Sequence, residues 1–413
     1  MSKRASIGDG SGLLRTTQIP ADWNVPRIGE MFSRRIERGR AGLPVMSITM
    51  AGGLVERDSV DRRVDSNLSP ESHLLVRAGD LAYNMMRMWQ GVLGRGMFDC
   101  LVSPAYIVLQ PGEQVDPEFA EYLFSSKTAI LEFKRLSYGV VDDRLRLYYR
   151  DLVRIPFAVP RSRVEQRRIA KVLSTLDETI EQTEALIAKY QQIKAGLMQD
   201  MFIRGVTPDG RLRPTHANAP HLYKESPLGW IPKEWGEKSL GECFTLQRGF
   251  DITQEQQSRG DVPVVSSSGI TGFHSVAMCP GPGVVIGRKG KLGNAYYLKT
   301  RYWPHDTTLW VKDFHGNSVP FARHFLIWLR LDRFDASTSV PTLNRNFVHP
   351  LRVALPSPAE QEQMVMRLDA HGALLESAES ELSKCRMLKQ GLMHDLLTGR
   401  VRVKVTESEE VPA

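Results

Sequence analysis

The chain is poor in the residues that build metal sites and disulfide frameworks. Its four cysteines, Cys100, Cys243, Cys279 and Cys385, stand far apart without a CxxC pair, and its ten histidines form no HExxH or other ligand spacing. Neither a structural metal nor a disulfide scaffold is expected. No apolar run reaches the roughly 18 residues that a membrane helix needs. The opening MSKRASIGDGSGLLRTT is basic but lacks the apolar core of a secretory signal, so a loosely ordered tail on a cytoplasmic protein is expected. GVVIGRKGK offers glycines and lysines but no Gly-Lys-Ser/Thr, which speaks against a phosphate-loop motor. No Asn/Asp-Pro-Pro-aromatic run of the adenine methyltransferase type occurs either. Asp116 followed by Glu132 and Lys134 mimics a D…ExK nuclease pattern, but KTAILEFKRL has helical spacing and reads as a surface helix.

What the chain does contain is a repeat of itself. KAGLMQD at Lys194–Asp200 returns as KQGLMHD at Lys389–Asp395, and the match runs ungapped from Glu165 and Glu360 at a constant offset of 195. One register kept over ten helical turns indicates internal duplication. Upstream, IPADWNVPRIGE from Ile19 matches IPKEWGEKSLGE from Ile231 at an offset of 212, and EFAEYLF from Glu118 matches PFARHFL from Pro320. The order is therefore block, helix, block, helix.

Within the first helical copy Ile169, Leu173, Leu176, Ile180, Thr183, Ile187, Tyr190, Lys194, Leu197 and Met201 step by fours and threes. The second copy gives Met364, Leu368, His371, Leu375, Ala378, Leu382, Cys385, Lys389, Leu392 and Leu396. Both are a/d seams sustained over more than four heptads. Prolines precede each helix, while Gly205 and Gly399 sit where a C-terminal glycine belongs. A helix of some 36 residues at about 1.5 Å each runs roughly 54 Å and cannot leave its one apolar stripe bare. The duplication favours an antiparallel pair with pseudo-two-fold symmetry. Lys194 and Lys389 are awkward in a dry seam, so the ends carrying GLM are expected to open toward solvent or another chain. Gly196 and Gly391 signal either close approach of another element or fraying near a helix end.

The blocks are α+β: strand-like pieces broken by turns, followed by amphipathic helices expected at about 116–136 and 319–334. The predicted divisions are a tail at 1–18, a first block at 19–155, a helix at 156–205 and a linker at 206–225. A second block at 226–355, a helix at 356–403 and a tail at 404–413 complete the chain.

Overall charge is +7 with a pI near 9.2. The excess is local: residues 206–355 carry 18 Lys and Arg against 12 Asp and Glu, whereas residues 356–413 carry 7 against 10. In a nucleic-acid binder, the contact surface would then lie on the blocks. The densest signal is IGRKGKLGN, where Arg288, Lys289, Lys291 and Asn294 crowd a glycine-bounded turn; Ser266, Ser267 and Ser268 occupy a second turn nearby in sequence. Glycines let backbone approach phosphate, and cations neutralise it or read guanine edges. The first block offers Asn84, Arg87, Trp89 and Gln90 in its corresponding turn, and Arg144, Arg146, Tyr148, Asn344 and Arg345 stand in the segments before the helices.

Taken together, the chain closely resembles the specificity subunits of type I restriction-modification enzymes. The resemblance rests on the doubled block-helix plan, the IP..W....LGE block starts, the Glu-Gln at each helix start and the K.GLM.D helix ends. It covers nearly all of the chain except the first eighteen or so residues and the tail after Val403. One extra residue precedes Glu-Gln in the first copy, AVPRSRVEQ against ALPSPAEQ. The resemblance implies a non-catalytic DNA-binding subunit of α+β fold, with two target recognition domains separated by two long helices that pair antiparallel. Each domain would read one half of a bipartite, asymmetric target, and the helices would set the spacer. Two methyltransferase subunits using S-adenosylmethionine would dock, with Lys194, Gly196 and Met198, and Lys389, Gly391 and Met393, as docking candidates. Restriction subunits would consume ATP with Mg. The rival reading is a two-domain coiled-coil scaffold that binds protein partners only.

Overall fold

A computed structural model describes residues 19–50, 52–59, 68–139, 144–334 and 342–404. The tail expected at 1–18 and nearly all of that at 404–413 lie outside the described residues. The chain forms two compact units, Met1–Thr183 with Glu381–Ala413, and Glu184–Ser380. Each unit therefore holds one block, the start of the long helix that follows it and the end of the other long helix. The boundaries fall inside both long helices, Arg163–Arg204 and Pro358–Leu397.

The duplication seen in sequence is repeated in topology. The first unit has a four-stranded antiparallel sheet in the order Phe32–Arg35, Tyr106–Pro111, Leu81–Asn84, Leu93–Arg95. The second has Thr245–Arg248, Thr308–Asp313, Gly283–Gly287, Ala295–Leu298 in the same order. Strands such as LAYN and GVVIG are buried along almost their whole length. They lie between a helix layer and a second, smaller sheet, so apolar residues replace the usual in-out alternation.

The amphipathic helices are shorter than the sequence suggests. In place of one helix over 116–136 there are two, Pro117–Ser125 and Lys127–Arg135. Ser126 breaks them by turning extended and accepting from the Ala129 N–H, because a serine side chain satisfies an orphan helix donor better than it continues a helix. The helix expected over 319–334 stops at Trp328, since Arg330 adopts a positive φ of 49°, and a 3-10 turn at Leu331–Phe334 follows. Asp116 caps its helix and Glu132 binds Arg135 at 2.7 Å on a helix, so the D…ExK residues do helical work.

Every predicted seam residue on both long helices is buried or half-buried. In the first unit Leu173 joins a core with Leu396 and Leu397, which brings the start of one long helix beside the end of the other. In the second unit Met201 and Phe202 meet Met364 and Leu368 in the same sense. The helices therefore pair antiparallel within each unit. Gly205 at φ 68° and Gly399 at φ 73° end them in left-handed backbone.

The Glu-Gln pairs explain how blocks attach to helices. Gln166, fully buried, accepts from Asp116 N at 2.7 Å and donates to the carbonyls of Gln114 and Pro160. Gln361 accepts from Ser318 N at 2.9 Å and donates to Pro356 O and Asn317 Oδ1. In both units one amide thus ties the start of a block helix to the start of a long helix.

Candidate nucleic-acid interface

In the first unit the strand Leu81–Asn84 ends in a turn closed by the 3-10 helix Met88–Gln90 and by Gly91 at φ 82°. The Asn84 side chain accepts from Met86 N at 3.0 Å, and the Trp89 indole donates to Met86 O at 3.0 Å, so both shape the turn. Arg87 is exposed, while Gln90 is half-buried. The segment with Arg144, Arg146 and Tyr148 is held alongside, because Leu147 N donates to Met85 O at 2.9 Å. Arg144 and Arg146 are exposed, and the Tyr148 ring packs tilted against Tyr138, centres 5.3 Å apart, with Arg150 over it. Two stretches some sixty residues apart in sequence thus make one surface with three exposed guanidinium groups.

In the second unit four segments converge. Arg288 N and Lys289 N both donate to Thr307 O, Leu343 N donates to Arg288 O, and Tyr296 Oη donates to Ser267 O. A Cβ on Gly290 would come 3.9 Å from Ser267 Oγ, so the serine and glycine turns are neighbours. Lys291, Asn294 and Ser268 are exposed; Arg288, Lys289, Ser266 and Ser267 are half-buried. Arg288 donates to Asp306 O at 3.2 Å, and burial, helped by nearby Arg248, lowers its pKa below the ordinary arginine value. Its first duty is to hold the turn. Asn344 caps the helix Arg345–Val348 by accepting from Asn346 N, and Arg345 reaches Leu246 O at 3.5 Å.

Sequence reasoning missed Arg248. It meets Asp306 at 2.8 Å beside Arg288, and although burial alone would raise the Asp306 carboxyl, Arg248 and His305 outweigh it and hold it below the usual range. Asp251, His305 and Asp306 lie near enough to share a cation. Asp306 is already neutralised by Arg248, and His305 Nδ1 sits 2.9 Å from Thr307 Oγ1, so we assign the cluster no ion.

The docking candidates divide. Met198 and Met393 pack on the cores of their own units. Lys389 does not open into solvent as expected: it pairs with Asp177 and lies 5.7 Å from the centre of the Tyr122 ring, because the hydroxyl of Tyr122 and the carboxylate of Asp177 give the ammonium a polar niche on the seam. Lys194 is half-buried near His324. Gly196 and Gly391 are exposed, and among the described residues no atom outside the neighbouring helix backbone lies within 4 Å of a Cβ built on either. Both helices continue beyond them, so the ends do not fray there, nor does any described element approach.

Residues 232–384 match the model of the type I restriction modification DNA specificity domain. Two curated relatives come from Methanocaldococcus jannaschii. The type I restriction enzyme MjaVIII specificity subunit is 22% identical over 94% of this chain and 95% of its own length, and the putative MjaX specificity subunit is 19% identical with the same coverage. The chain is thus similar to type I specificity subunits over nearly its whole length. The fold agrees: a solved S subunit of a type I restriction-modification system from M. genitalium superposes with a TM-score of 0.59 at 18% identity, covering 98% of this chain and all of that one. Among the described residues no helix is long and apolar enough to cross a membrane.

Proposed function

We propose that this chain is the specificity subunit of a type I restriction-modification complex, carrying its address and no catalysis of its own. Each block reads one half of a bipartite, asymmetric DNA sequence, the paired long helices set the spacer, and two methyltransferase subunits dock on the subunit. Restriction subunits complete the assembly. S-adenosylmethionine, ATP and Mg belong to those partners. A solved type I restriction-modification relative, matched at TM-score 0.56 and 14% identity, comes from a study of complex assembly.

The observation that carries the reading is the combination of one scaffold with two different surfaces. Strand order and the glutamine ties are the same in both units. The exposed turns differ: arginines around Arg87 and Arg144 in one, Lys291 with Asn294 and Ser268 in the other. Duplication preserves what holds the fold and lets each reading surface take its own chemistry. Guanidinium groups favour guanine edges and phosphates, amides favour adenine, and lysine supplies a point charge.

Mapping methylated sites in cells that express the intact complex tests this. Arg288→Ala should relax or abolish one half-site while leaving the other unchanged. Equal loss of both half-sites would defeat the modular reading, and sequence-specific binding that needs no methyltransferase partner would defeat the assembly reading.

A further inference from the structure

The first unit contains an open groove of about 690 Å³, between the ends of its two block helices, the 156–158 segment and the second long helix. That volume lies within the roughly 300–1,000 Å³ of ordinary ligand pockets. Its apolar lining includes Leu123, Phe157, Met393 and Leu397; Lys127 brings an exposed ammonium to the rim, while Lys389 is held by Asp177, His394 Nε2 accepts from Arg400, and Glu132 is bound by Arg135.

The duplication shows what fits. In the second unit Trp328 packs against Phe202 at 5.2 Å and Phe325 at 5.7 Å, and its indole N–H donates to Gln199 Oε1 at 3.1 Å. The helix offset of 195 pairs Phe202 with Leu397 and Gln199 with His394. The alignment of EFAEYLF with PFARHFL pairs Phe325 with Leu123 and Trp328 with Ser126. The bonds from Asp116 N to Gln166 and from Ser318 N to Gln361 obey both registers at once. All four counterparts, Leu123, Ser126, His394 and Leu397, line the groove. The first unit has the walls of the tryptophan site without the tryptophan.

We infer that this groove receives a tryptophan side chain presented on an acidic segment of the methyltransferase partner, an inference that rests on the proposed function. The walls match an indole because the chain itself builds an indole site from their equivalents, and Lys127 at the rim complements a carboxylate. Residues 1–18 contain no aromatic side chain, so the chain's own N-terminal segment offers no such plug. Buried tryptophans are the commonest energetic anchors of protein interfaces. The two docking places on this subunit are accordingly unequal, one open and one closed by Trp328.

The test titrates the full chain with the purified methyltransferase subunit, and separately with indole-3-propionate as a probe followed by methionine methyl NMR. Ser126→Trp plugs the groove from within, and Lys127→Glu reverses a rim charge at an exposed position. Expected is one indole-3-propionate site that shifts the Met393 methyl, is displaced by the methyltransferase and is lost in Ser126→Trp. Methyltransferase affinity should fall roughly tenfold or more in Ser126→Trp, as for loss of an anchor residue, and severalfold in Lys127→Glu with unchanged thermal unfolding. Should Ser126→Trp fail to fold, Lys127→Glu decides. Equal methyltransferase affinity in wild type and variants overturns the inference while leaving the proposed function standing; a wild-type chain that binds no methyltransferase at all overturns both. Probe binding that appears only after removal of residues 1–18 assigns the groove to the chain's own terminus and overturns it too.

Discussion

Arg402 forks onto Glu165, with Nε and Nη2 at 2.7 and 2.9 Å from its two carboxylate oxygens, although 237 residues separate them. The same guanidinium reaches Asp22 at 2.8 and 2.5 Å and lies 6.0 Å from the Trp23 ring centre. In the second unit Glu360 occupies the equivalent place, accepting from Val206 N, Arg213 and the Trp235 indole. A segment beyond the last helix therefore does for the first block what the linker does for the second. The block-start tryptophan, the glutamate of Glu-Gln and an arginine after a helix end form one knot in each unit.

Arg402→Ala should destabilise the first unit. Glu165 is 3% exposed and would keep a buried carboxylate without its counter-charge. Breaking a buried pair costs about 3–5 kcal/mol; the Arg402 side chain is 39% exposed, so solvent screening reduces this to about 2 kcal/mol. Hydrogen exchange should rise at the amides of Trp23 and Asn24 and of Val159 on the partner strand. Exchange that rises equally in the second unit would show that the knot is not local.

Gln166→Leu keeps volume but leaves Asp116 N, Gln114 O and Pro160 O without their partner. Each unsatisfied buried group costs about 1–3 kcal/mol, less where water enters, giving about 3 kcal/mol in all. Denaturant titration should show that loss, and Gln361→Leu should match it in the second unit. A loss below 1 kcal/mol would mean the glutamines follow the fold without holding it.

The second unit should weaken on acidification through His324. That imidazole is 3% exposed, with Nε2 2.8 Å from Asp369 on the second long helix. Burial is the largest influence and lowers its pKa; Asp369 opposes, while Arg323 and Lys194 assist. The folded state thus binds fewer protons than the unfolded one, whose histidine titrates near 6.5. Stability contributed by neutral His324 is complete above pH 6.5 and is lost as pH falls through the lowered folded value. His324→Asn should flatten the dependence of unfolding on pH below about 6.5, and an unchanged slope would assign the effect elsewhere.

Most of the scaffold was legible because it is written twice. The seam from Ile169 to Met201 repeats with its register intact, and periodicity needs no knowledge of distant contacts. Helix ends were less legible: Ser126 and Arg330 break helices that the apolar pattern would have continued, since capping and left-handed turns depend on single residues. The candidate interface was legible as separate turns and not as a surface. Nothing in the sequence places Leu147 beside Met85, or Arg248 beside Asp306, because those contacts are set by tertiary packing. Asn344, a candidate contact to DNA backbone or bases, also caps the helix Arg345–Val348, a role that asparagine fills equally well.

The proposed spacer role gives the sharpest geometric expectation. Tyr190 and His371 meet edge to face at 6.1 Å across the two long helices of the second unit, which fixes where matched insertions belong. Four residues added after Lys189 and four after Gly372 lengthen both helices by about 6 Å and turn each by about 40° past a full revolution. Inserting in one helix alone would put its seam out of register with the partner and should cost stability instead. With DNA rising about 3.4 Å per base pair, the paired insertion should lengthen the tolerated spacer by one to two base pairs. The half-site bases should stay as they were, because neither block changes. Methylated-site mapping reads both quantities at once; an unchanged spacer would show that the helices connect the blocks without measuring the distance between them.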